Sequence, residues 1–463
     1  MKKIIYFVIE SDFRELESKI ILSLNAAKKG MYPAIVKKSR LFEKLHLIRP
    51  GIIFLKSFGR NYDLHLDKIK SYNHIITGFD EEGLQIYHKN KLIGDRFSLN
   101  VLNSLNIIFS NGNYAKKIYE KHFNRKRKKI QIISSGNPRL DVLKQTTSKY
   151  FAKTKEKIKN KYGNFILIAT QFPMYNLNTG DIIKNPDHFP MFDKNLLKTK
   201  LSITNKNKLK HFLHQKKNFL EYKKLYFFLN KKFAKTNFIL KPHPVENHEY
   251  YKNMIKLNKF KNIKTIHSRE NIIPYILACE TMIAYNSTTS VESFMLNKTS
   301  INYIPFRDKL NEFKLTKLLS LNVSDMGLLE KILKSKKYKK KNSILKNKIK
   351  EAEKILNNLI SRDSIKIIID KLLSLKTNPF KLKDKRQNRL YFIYFFLKTK
   401  TINLFNHIFY SHRTAYKVQV GKRDKLNKLN IQIKVNEISK ILYPKTKFIV
   451  KEKYYGIYYI EKL

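Results

Sequence analysis

The chain is poor in several kinds of residue, and each shortage narrows the class of protein. Cys279 is the only cysteine among 463 residues, which excludes an intrachain disulfide and a cysteine-rich metal site. A single cysteine fits a reducing cytoplasm. No stretch of about 18 uninterrupted apolar residues occurs, so we expect no transmembrane helix. The short apolar run 4–9 ends at Glu10, which is typical of a first buried strand rather than of a signal peptide.

Acidic residues are also scarce. The 36 acids face 95 lysines and arginines, a formal net charge of +59. Such a charge is typical of nucleic-acid binding or of attraction to an anionic membrane. It is also typical of a compositional bias towards Lys, Asn and Ile, which the even spread of the lysines favours. Because the lysines do not interleave with aromatics in any nucleic-acid motif, we expect no specific nucleic-acid partner.

The apolar pattern predicts the fold class. Short Ile/Val/Phe-rich runs alternate with amphipathic stretches such as 15–29, which indicates parallel sheets covered by helices on both faces. Length allows two or three domains. We predict two Rossmann-like domains, 1–145 and 146–375, facing a ligand cleft. The predicted strands are 4–9, 34–36, 52–55, 74–79, 106–109, 130–133, 165–170, 238–240, 263–266, 282–285 and 300–304.

Residues 376–463 form a basic, aromatic C-terminal extension. The run 390–397 is dense in aromatics and flanked by lysines and arginines. It is typical of a helix packed on the second domain, or of a segment lying on an anionic membrane. Residues 413–463 are predicted to be β-rich, with strands at 418–420, 431–435, 447–450 and 455–460.

Three acids follow the predicted strand 74–79: Asp80, Glu81 and Glu82, with Gly83 after them. A carboxylate at the end of a strand can take the proton from an acceptor hydroxyl if its pKa is raised towards neutral. The alternative is a solvated acidic turn, which the spacing alone favours.

A rigid histidine turn, Lys241-Pro242-His243-Pro244, follows the predicted strand 238–240. The two prolines restrict the directions open to the imidazole. A histidine there can donate to a phosphate or protonate a leaving group. A purely structural histidine explains the pattern equally well.

A hydroxyl-rich turn, Asn286-Ser287-Thr288-Thr289, follows the predicted strand 282–285 and opens a helix. Ser287, Thr288 or Thr289 can cap that helix, and a capped N-terminus attracts anions. Glu292 lies one turn in, where it can complete a capping box with Thr289 or accept from a ribose hydroxyl. Phosphate binding and simple capping both remain open.

Metal and cofactor motifs are missing from the sequence. The histidines and the cysteine have no metal-ligand spacing, and no Walker, GxGxxG or Asp-x-Asp pattern occurs. We therefore expect no metal and no cofactor.

Four motifs follow one another along the chain: the acidic segment Asp80-Glu81-Glu82-Gly83, then Gly136-Asn137-Pro138-Arg139, then the histidine turn, then the hydroxyl-rich turn. In this order they resemble the motifs of the bacterial surface-carbohydrate biosynthesis proteins, over roughly residues 1–320. That group has the two-domain GT-B glycosyltransferase architecture, and the resemblance implies that 1–145 is the acceptor-side domain and 146–375 the nucleotide-sugar-binding domain. The motifs are also similar, more distantly, to those of sialyltransferases and Kdo transferases, which use CMP-activated sugars.

The resemblance implies a role for each motif. The base would be Glu81, with Asp80 and Glu82 as close rivals. Cleft or hinge residues would be Gly136, Asn137 and Arg139. The donor phosphate and nucleotide would be held by Lys241, His243, Pro244, Ser287, Thr288, Thr289 and Glu292.

The function expected from these motifs is glycosyl transfer. The donor would be a nucleotide-activated sugar, such as a CMP-linked 2-keto acidic sugar, and the acceptor a surface glycan or its lipid-linked precursor. We expect a cytoplasmic protein that associates with the inner face of the plasma membrane. The alternatives are a CDP-polyol phosphotransferase, a nucleotide-sugar epimerase, and a non-enzymatic binder of nucleic acid or membrane.

Overall fold

The computed structural model describes residues 2–10, 12–84, 97–125, 130–144, 148–176, 203–266, 270–308, 311–336, 338, 346–361, 363–376, 393–394, 397, 401 and 426–463. The chain divides into two compact units. The first comprises Met1–Tyr150 together with Glu351–Leu463, and the second comprises Phe151–Lys350. The boundaries predicted from sequence, 145 and 375, therefore differ from those of the structure mainly at the end of the second unit.

The first unit is built on an eight-stranded sheet. Its first six strands along the chain are β1 (Ile4–Ile9), β2 (Tyr32–Lys37), β3 (Ile52–Leu55), β4 (Ile75–Phe79), β5 (Ile107–Ser110) and β6 (Gln131–Ser134). These six strands are parallel, and their near-continuous apolar composition reflects burial on both faces. With β13 (Phe448–Tyr454) and β14 (Ile457–Lys462), the order of the sheet is β13-β14-β2-β1-β3-β4-β5-β6. All six strand predictions are confirmed, with boundaries within two residues.

The helices of the first unit lie between these strands and after the second unit. They are α1 (Asp12–Lys28), α2 (Lys38–Glu43), a 3-10 helix (Arg60–His65), α3 (Leu66–Ser71), α4 (Leu99–Ser104), α5 (Asn113–Arg125) and α6 (Pro138–Asp141). A short 3-10 helix (Lys149–Phe151) spans the boundary between the units.

Residues after 351 return to the first unit, where Asn357 is hydrogen-bonded through its backbone and its side chain to residues at the ends of β5 and β6. Asn357 N donates to Asn111 O at 2.7 Å, and Asn357 Nδ2 donates to Ser134 O at 3.0 Å. Farther along, Ile365 N donates to the buried Asp141 carboxylate at 2.8 Å. Burial raises the pKa of Asp141 to about 7, against the opposing Ile365 hydrogen bond. Two further helices, α14 (Lys346–Ile355) and α15 (Ser364–Ser374), flank these contacts.

The C-terminal residues extend the first sheet rather than forming a separate appendage. β13 (Phe448–Tyr454) and β14 (Ile457–Lys462) form an antiparallel hairpin, and β14 pairs antiparallel with β2 through Tyr459 opposite Ala34. These two strand predictions are confirmed. The predicted strand 418–420 lies outside the described residues, as does most of the aromatic run 390–397.

The predicted strand 431–435 is wrong, because this segment lies within helix α16 (Lys428–Leu442). Its alternation of apolar and polar residues has the period of a strand. The residues that are buried, however, are Ile431, Val435 and Ile438, at a helical spacing of four and three. Asn427 caps the helix by accepting from Asn430 N at 2.8 Å.

The second unit has a fully parallel six-stranded sheet of order β12-β11-β10-β7-β8-β9. Its strands are β7 (Phe165–Ala169), β8 (Asn237–Lys241), β9 (Ile263–Thr265), β10 (Met282–Ala284), β11 (Ser300–Tyr303) and β12 (Leu321–Val323). Only β12 was not predicted, because three residues with a central asparagine give no periodic signal. Its helices are α7 (Ala152–Tyr162), α8 (Ile203–Lys232), α9 (His248–Leu257), α10 (Ile273–Ala278), α11 (Thr289–Met295), α12 (Lys314–Leu318) and α13 (Met326–Lys334).

Both sheets reverse their strand order next to their first strand, between β1 and β3 and between β7 and β10. Ligands of open α/β sheets bind beyond the carboxyl ends of the strands at such reversals. The two units therefore each offer one expected ligand position. Among the described residues, no helix is both long enough and apolar enough to cross a membrane.

Candidate functional site

The acidic segment after β4 is divided between the interior and the surface of the first unit. Asp80 and Glu81 are buried, whereas Glu82 is exposed. Glu81 forms an ion pair with Lys19 of α1, and the Lys19 side chain is completely buried. The alternative of a solvated acidic turn therefore holds for Glu82 and fails for its two neighbours.

Lys56, a second buried lysine, connects the acidic segment to the end of β1. Lys56 Nζ lies 2.8 Å from Glu10 Oε2 and 2.9 Å from Glu15 Oε1. The main chain of the same lysine accepts a hydrogen bond from Glu81 N at 3.1 Å. Together with Lys19, these residues form a network of two lysines and three glutamates at the sheet reversal next to β1, in which all but the partly exposed Glu10 are buried.

Attraction between the lysines and the glutamates of this network offsets the cost of burying their charges. Burial raises the pKa of Glu81, and the Lys19 ammonium acts against that rise. Burial also acts to lower the pKa of Lys56, but Glu15 and Glu10 outweigh it, so this lysine titrates above its ordinary range. Buried charges persist only when they are paired in this way. The network therefore holds the acidic segment in place.

The turn after β6 is linked to the acidic segment. Asn137 Oδ1 accepts from Arg139 N at 3.0 Å, and Asn137 Nδ2 donates to Asn111 Oδ1 at 2.9 Å. Asn111 Nδ2 in turn donates to Asp80 O at 3.2 Å. Gly136 adopts φ +80°, a conformation that favours glycine. The structure thus brings together, in one unit, two motifs that lie far apart in the sequence.

In the second unit, the two other motifs flank the central strand β7. Ala169 at the end of β7 pairs with Lys241 on one side and with Ala284 on the other. All three strands run parallel, so the histidine turn and the hydroxyl-rich turn emerge at the same edge of the sheet. The reversal of strand order between β7 and β10 lies at this edge, where a ligand is expected.

The buried carboxylate of Glu246 fixes the histidine turn. Glu246 Oε1 accepts from His243 N at 3.2 Å, from Phe172 N at 2.9 Å and from Thr170 Oγ1 at 3.0 Å. The other carboxylate oxygen accepts from the Tyr251 hydroxyl. Burial raises the pKa of Glu246, and these hydrogen bonds oppose that rise. One side chain therefore joins the loop after β7 to the turn after β8.

The half-buried His243 ring has a defined orientation. Its Nδ1 accepts a hydrogen bond from Val245 N at 3.4 Å, which favours the neutral tautomer with the proton on Nε2. A ring held in this way presents an N–H donor in a direction set by the two prolines. Donation to an anionic oxygen is the chemistry that such a ring can perform.

Lys241 contributes a cation at the end of β8. It is 5% exposed, and burial lowers its pKa to about 8, while the carboxylates of Glu270 and Glu292 oppose the shift. Glu292 lies on α11 and is itself buried. A lysine that titrates near neutral pH has more to gain from an added anion than one in water.

The hydroxyl-rich turn begins with a left-handed residue. Asn286 has φ +44°, and its side chain donates to Asn311 O at 2.6 Å and accepts from Phe313 N at 2.7 Å. Ser287 Oγ accepts from Thr289 N at 3.3 Å and from Thr289 Oγ1 at 2.9 Å. The N-cap position is Thr288, whose own side chain makes no capping bond, so Ser287 caps this helix.

Sequence reasoning missed the polar face of α8. His214 Nε2 lies 2.7 Å from Phe306 O, and its Nδ1 lies 3.3 Å from the Tyr285 hydroxyl. His211 Nδ1 lies 2.9 Å from Asn311 Oδ1. The spacing of His211, His214 and Asn218 on one helical face was a signal that could have predicted these contacts. Glu246, three residues after His243, could have been recognised in the same way.

Among the residues that the structure describes, no three or more His, Cys, Asp or Glu side chains are grouped so that they could hold a metal ion.

No protein-family model matches the chain, and no curated protein matches it. Solved structures do resemble it. MnaA of S. aureus, solved with UDP, is 12% identical, with a TM-score of 0.50, and the match covers 82% of this chain and 100% of that one. UDP-GlcNAc 2-epimerase from Neisseria meningitidis, bound to UDP-GlcNAc, is 12% identical over 81% of this chain and 100% of that chain, with a TM-score of 0.47. The wall teichoic acid polymerase TagF is 13% identical over 80% of this chain and 87% of that chain, with a TM-score of 0.46. Similarity at these identities shows the fold alone, which is GT-B-like with two Rossmann-like domains, as predicted.

Proposed function

We propose that this protein is a glycosyltransferase that moves a sugar from a nucleotide-activated donor to a surface glycan or its lipid-linked precursor. The observation that carries the proposal is the edge of the second sheet. There Lys241, His243 and Ser287 lie at the ends of the two strands that flank β7. A cation, an N–H donor and a capped helix start are groups that bind phosphate.

In this mechanism, the acceptor hydroxyl oxygen forms a bond to the anomeric carbon of the donor sugar. The bond from that carbon to the phosphate oxygen breaks, and the nucleotide leaves with the electron pair. His243 and Lys241 stabilise the negative charge that develops on the leaving phosphate. The hydroxyl proton passes to a carboxylate of the acidic segment. A base must be reachable by its substrate, which favours exposed Glu82 over buried Asp80 and Glu81.

Nucleotide binding tests the proposal directly. We expect one nucleotide among CMP, CDP, UDP, UMP and GDP to raise the unfolding temperature without added Mg²⁺. A ligand at about 100 times its Kd stabilises a fold by about 2.7 kcal/mol. His243→Ala and Ser287→Ala should each weaken binding about 10- to 100-fold, since a hydrogen bond to a charged group is worth about 1.5–3 kcal/mol.

His46→Ala, an exposed histidine of the first unit, is the matched control and should bind as the wild type does. No shift with any nucleotide would reject the proposal. Conversion of a nucleotide sugar in the absence of any acceptor would instead identify an epimerase. The nucleotide that raises the unfolding temperature decides between a CMP donor and a UDP or CDP donor.

The pH dependence of binding should report on Lys241. The pKa of about 8 means that the free protein loses this positive charge as pH rises through that value. Binding of an anion requires the charged form, so affinity should fall above pH 8, by up to about tenfold per pH unit. Lys241→Arg keeps its charge and should remove the decline. Equal pH profiles for the two proteins, measured by calorimetry, would show that Lys241 does not contact the phosphate.

The assignment of the base also has a direct test. Glu82→Gln should lower kcat about 100-fold or more while leaving nucleotide affinity unchanged, since general base catalysis contributes about 10²- to 10⁴-fold. Glu120→Gln, another partly exposed acid of the first unit, is the control. Full activity of Glu82→Gln would return the role to Asp80 or Glu81. Membrane association and cytoplasmic location stay predictions.

A further inference from the structure

A cavity of about 750 Å³ opens in the first unit beyond the carboxyl ends of β1 and β2. Its volume is in the range of small-molecule sites, which is about 300–1,000 Å³. Ligands of open α/β sheets bind beyond the carboxyl ends of the strands, and residues that follow β1, β2 and β3 along the chain line this cavity. No residue of the four motifs lines the cavity. The ligand of the cavity therefore has to be inferred from the cavity's own lining.

The cavity adjoins the acidic segment through shared residues. Glu10 lines the cavity and forms the 2.8 Å ion pair with Lys56. Lys56 accepts the main-chain hydrogen bond of Glu81, the neighbour of the proposed base Glu82. The cavity and the acidic segment are therefore connected, within the same unit, through Glu10 and Lys56.

The cavity wall is positively charged. Lys37, Lys38 and Lys68 line it, and its two acids are already engaged. Glu10 is paired with Lys56, and Glu43 Oε2 lies 3.2 Å from Arg40 Nη1. The three lining lysines therefore outnumber the two lining acids.

The pKa of Lys38 is lowered chiefly by burial; Glu10 opposes this shift, and the smaller effect of Lys56 adds to it. Burial also lowers the pKa of His65, and Lys38 and Lys68 add to the shift. An anion placed in the cavity would relieve this repulsion.

The cavity also has a flat ring surface. The rings of Phe42 and His65 stack with centroids 4.0 Å apart and planes 17° apart, and both residues line the cavity. Lys38 Nζ lies 4.3 Å from the centroid of Tyr62, next to this pair. A flat apolar face beside a cluster of cations fits a ring with one C–H face and one anionic substituent.

We propose that this cavity binds the acceptor, and that the acceptor is a sugar carrying a phosphate or carboxylate group. The name acceptor rests on the proposed function. The binding of an anionic sugar rests on the cavity alone. Lys38 and Lys68 contact the anionic group, and the stacked Phe42–His65 pair contacts the ring.

Isothermal titration of the full chain tests the proposal without any donor. The probes are glucose 1-phosphate, glucuronic acid, methyl glucoside and inorganic phosphate. At least one anionic sugar should bind about tenfold or more tightly than methyl glucoside, since charged hydrogen bonds add about that much. Which anionic sugar binds distinguishes the phosphate from the carboxylate. Its binding should weaken with added salt.

Substitutions of single lining residues test whether the anionic sugar binds in this cavity. Lys68→Gln and Lys38→Gln should each weaken anionic-sugar binding about tenfold. Lys70→Gln, on the same short helix and outside the cavity lining, should not. His65→Ala should weaken sugar binding and leave inorganic phosphate unaffected.

Several results would overturn the proposal: no binding of either anionic sugar, equal binding of methyl glucoside, inorganic phosphate binding as tightly as glucose 1-phosphate, or equal effects of Lys68→Gln and Lys70→Gln. A parallel nucleotide titration separates the two hypotheses. Nucleotide binding without sugar binding rejects the cavity assignment only. Sugar binding without nucleotide binding supports the cavity and rejects the proposed function.

Discussion

Lys19→Met should destabilise the first unit by about 3–5 kcal/mol, because it leaves Glu81 buried without its partner. Lys19 is completely buried and methionine fills a similar volume, so the packing change is small. Adding Glu81→Leu removes the orphaned charge and should restore most of the lost stability. Calorimetric unfolding of the two variants and of the wild type measures both effects.

The pH dependence of the stability lost in Lys19→Met identifies its cause. Without Lys19, burial holds the folded pKa of Glu81 further above its ordinary value of 4.5. The folded state then binds more protons than the unfolded state above that pH, so stability falls as pH rises. The penalty should be smaller at pH 5 than at pH 8.

A matched surface pair in the same unit provides the control. Lys116 and Glu120 lie 3.6 Å apart on α5, and both are substantially exposed. Lys116→Met should cost less than about 1 kcal/mol. If Lys19→Met costs no more than Lys116→Met, or if the double variant is less stable than the single one, the network does not hold the acidic segment.

The sheets were predictable from sequence because parallel strands are buried on both faces. Runs such as 4–9 and 165–169 are almost wholly apolar and are separated by stretches of helical period. The last strands were recognised, but their place in the fold was not. Nothing local in 457–462 indicates pairing with β2, since such pairing depends on a partner more than 400 residues away in the chain.

The alternation of apolar and polar residues at 431–435 predicted a strand where the structure has a helix. A period of two in the sequence coexists there with a helical spacing of the buried residues. The choice between the two depends on which surface the segment covers. That surface is supplied by β13 and α1, which the local sequence does not specify. Tertiary context of this kind routinely overrides short periodic patterns.

The candidate site was predictable in its parts and not in its environment. Each motif ends a strand, so its position at the edge of a sheet follows from the strand assignment. The burial of Glu81 does not follow, because it depends on Lys19 in a different helix. The sequence likewise marks His243 but not the buried acceptor Glu246 that fixes its backbone.

Glu246→Ala should destabilise the second unit by about 4 kcal/mol or more. The substitution leaves five donors, most of them buried, without their acceptor, and each unsatisfied group costs about 1–3 kcal/mol, with partial relief from water. The five donors belong to Thr170, Phe172, Asn176, His243 and Tyr251. Glu246→Gln keeps one carbonyl oxygen for the backbone donors and should cost clearly less.

Nucleotide affinity separates a positioning role of Glu246 from a merely structural one. The gentler Glu246→Gln variant should fold, yet bind nucleotide more weakly than the wild type, because the His243 turn is held less firmly. Glu249→Ala, an exposed acid paired with Lys252 on the same helix, should change neither stability nor affinity. A Glu246→Gln protein with lowered stability and unchanged nucleotide affinity would mean that the turn keeps its conformation without this carboxylate. In that case the two prolines alone orient the imidazole, and the phosphate site does not depend on the loop after β7.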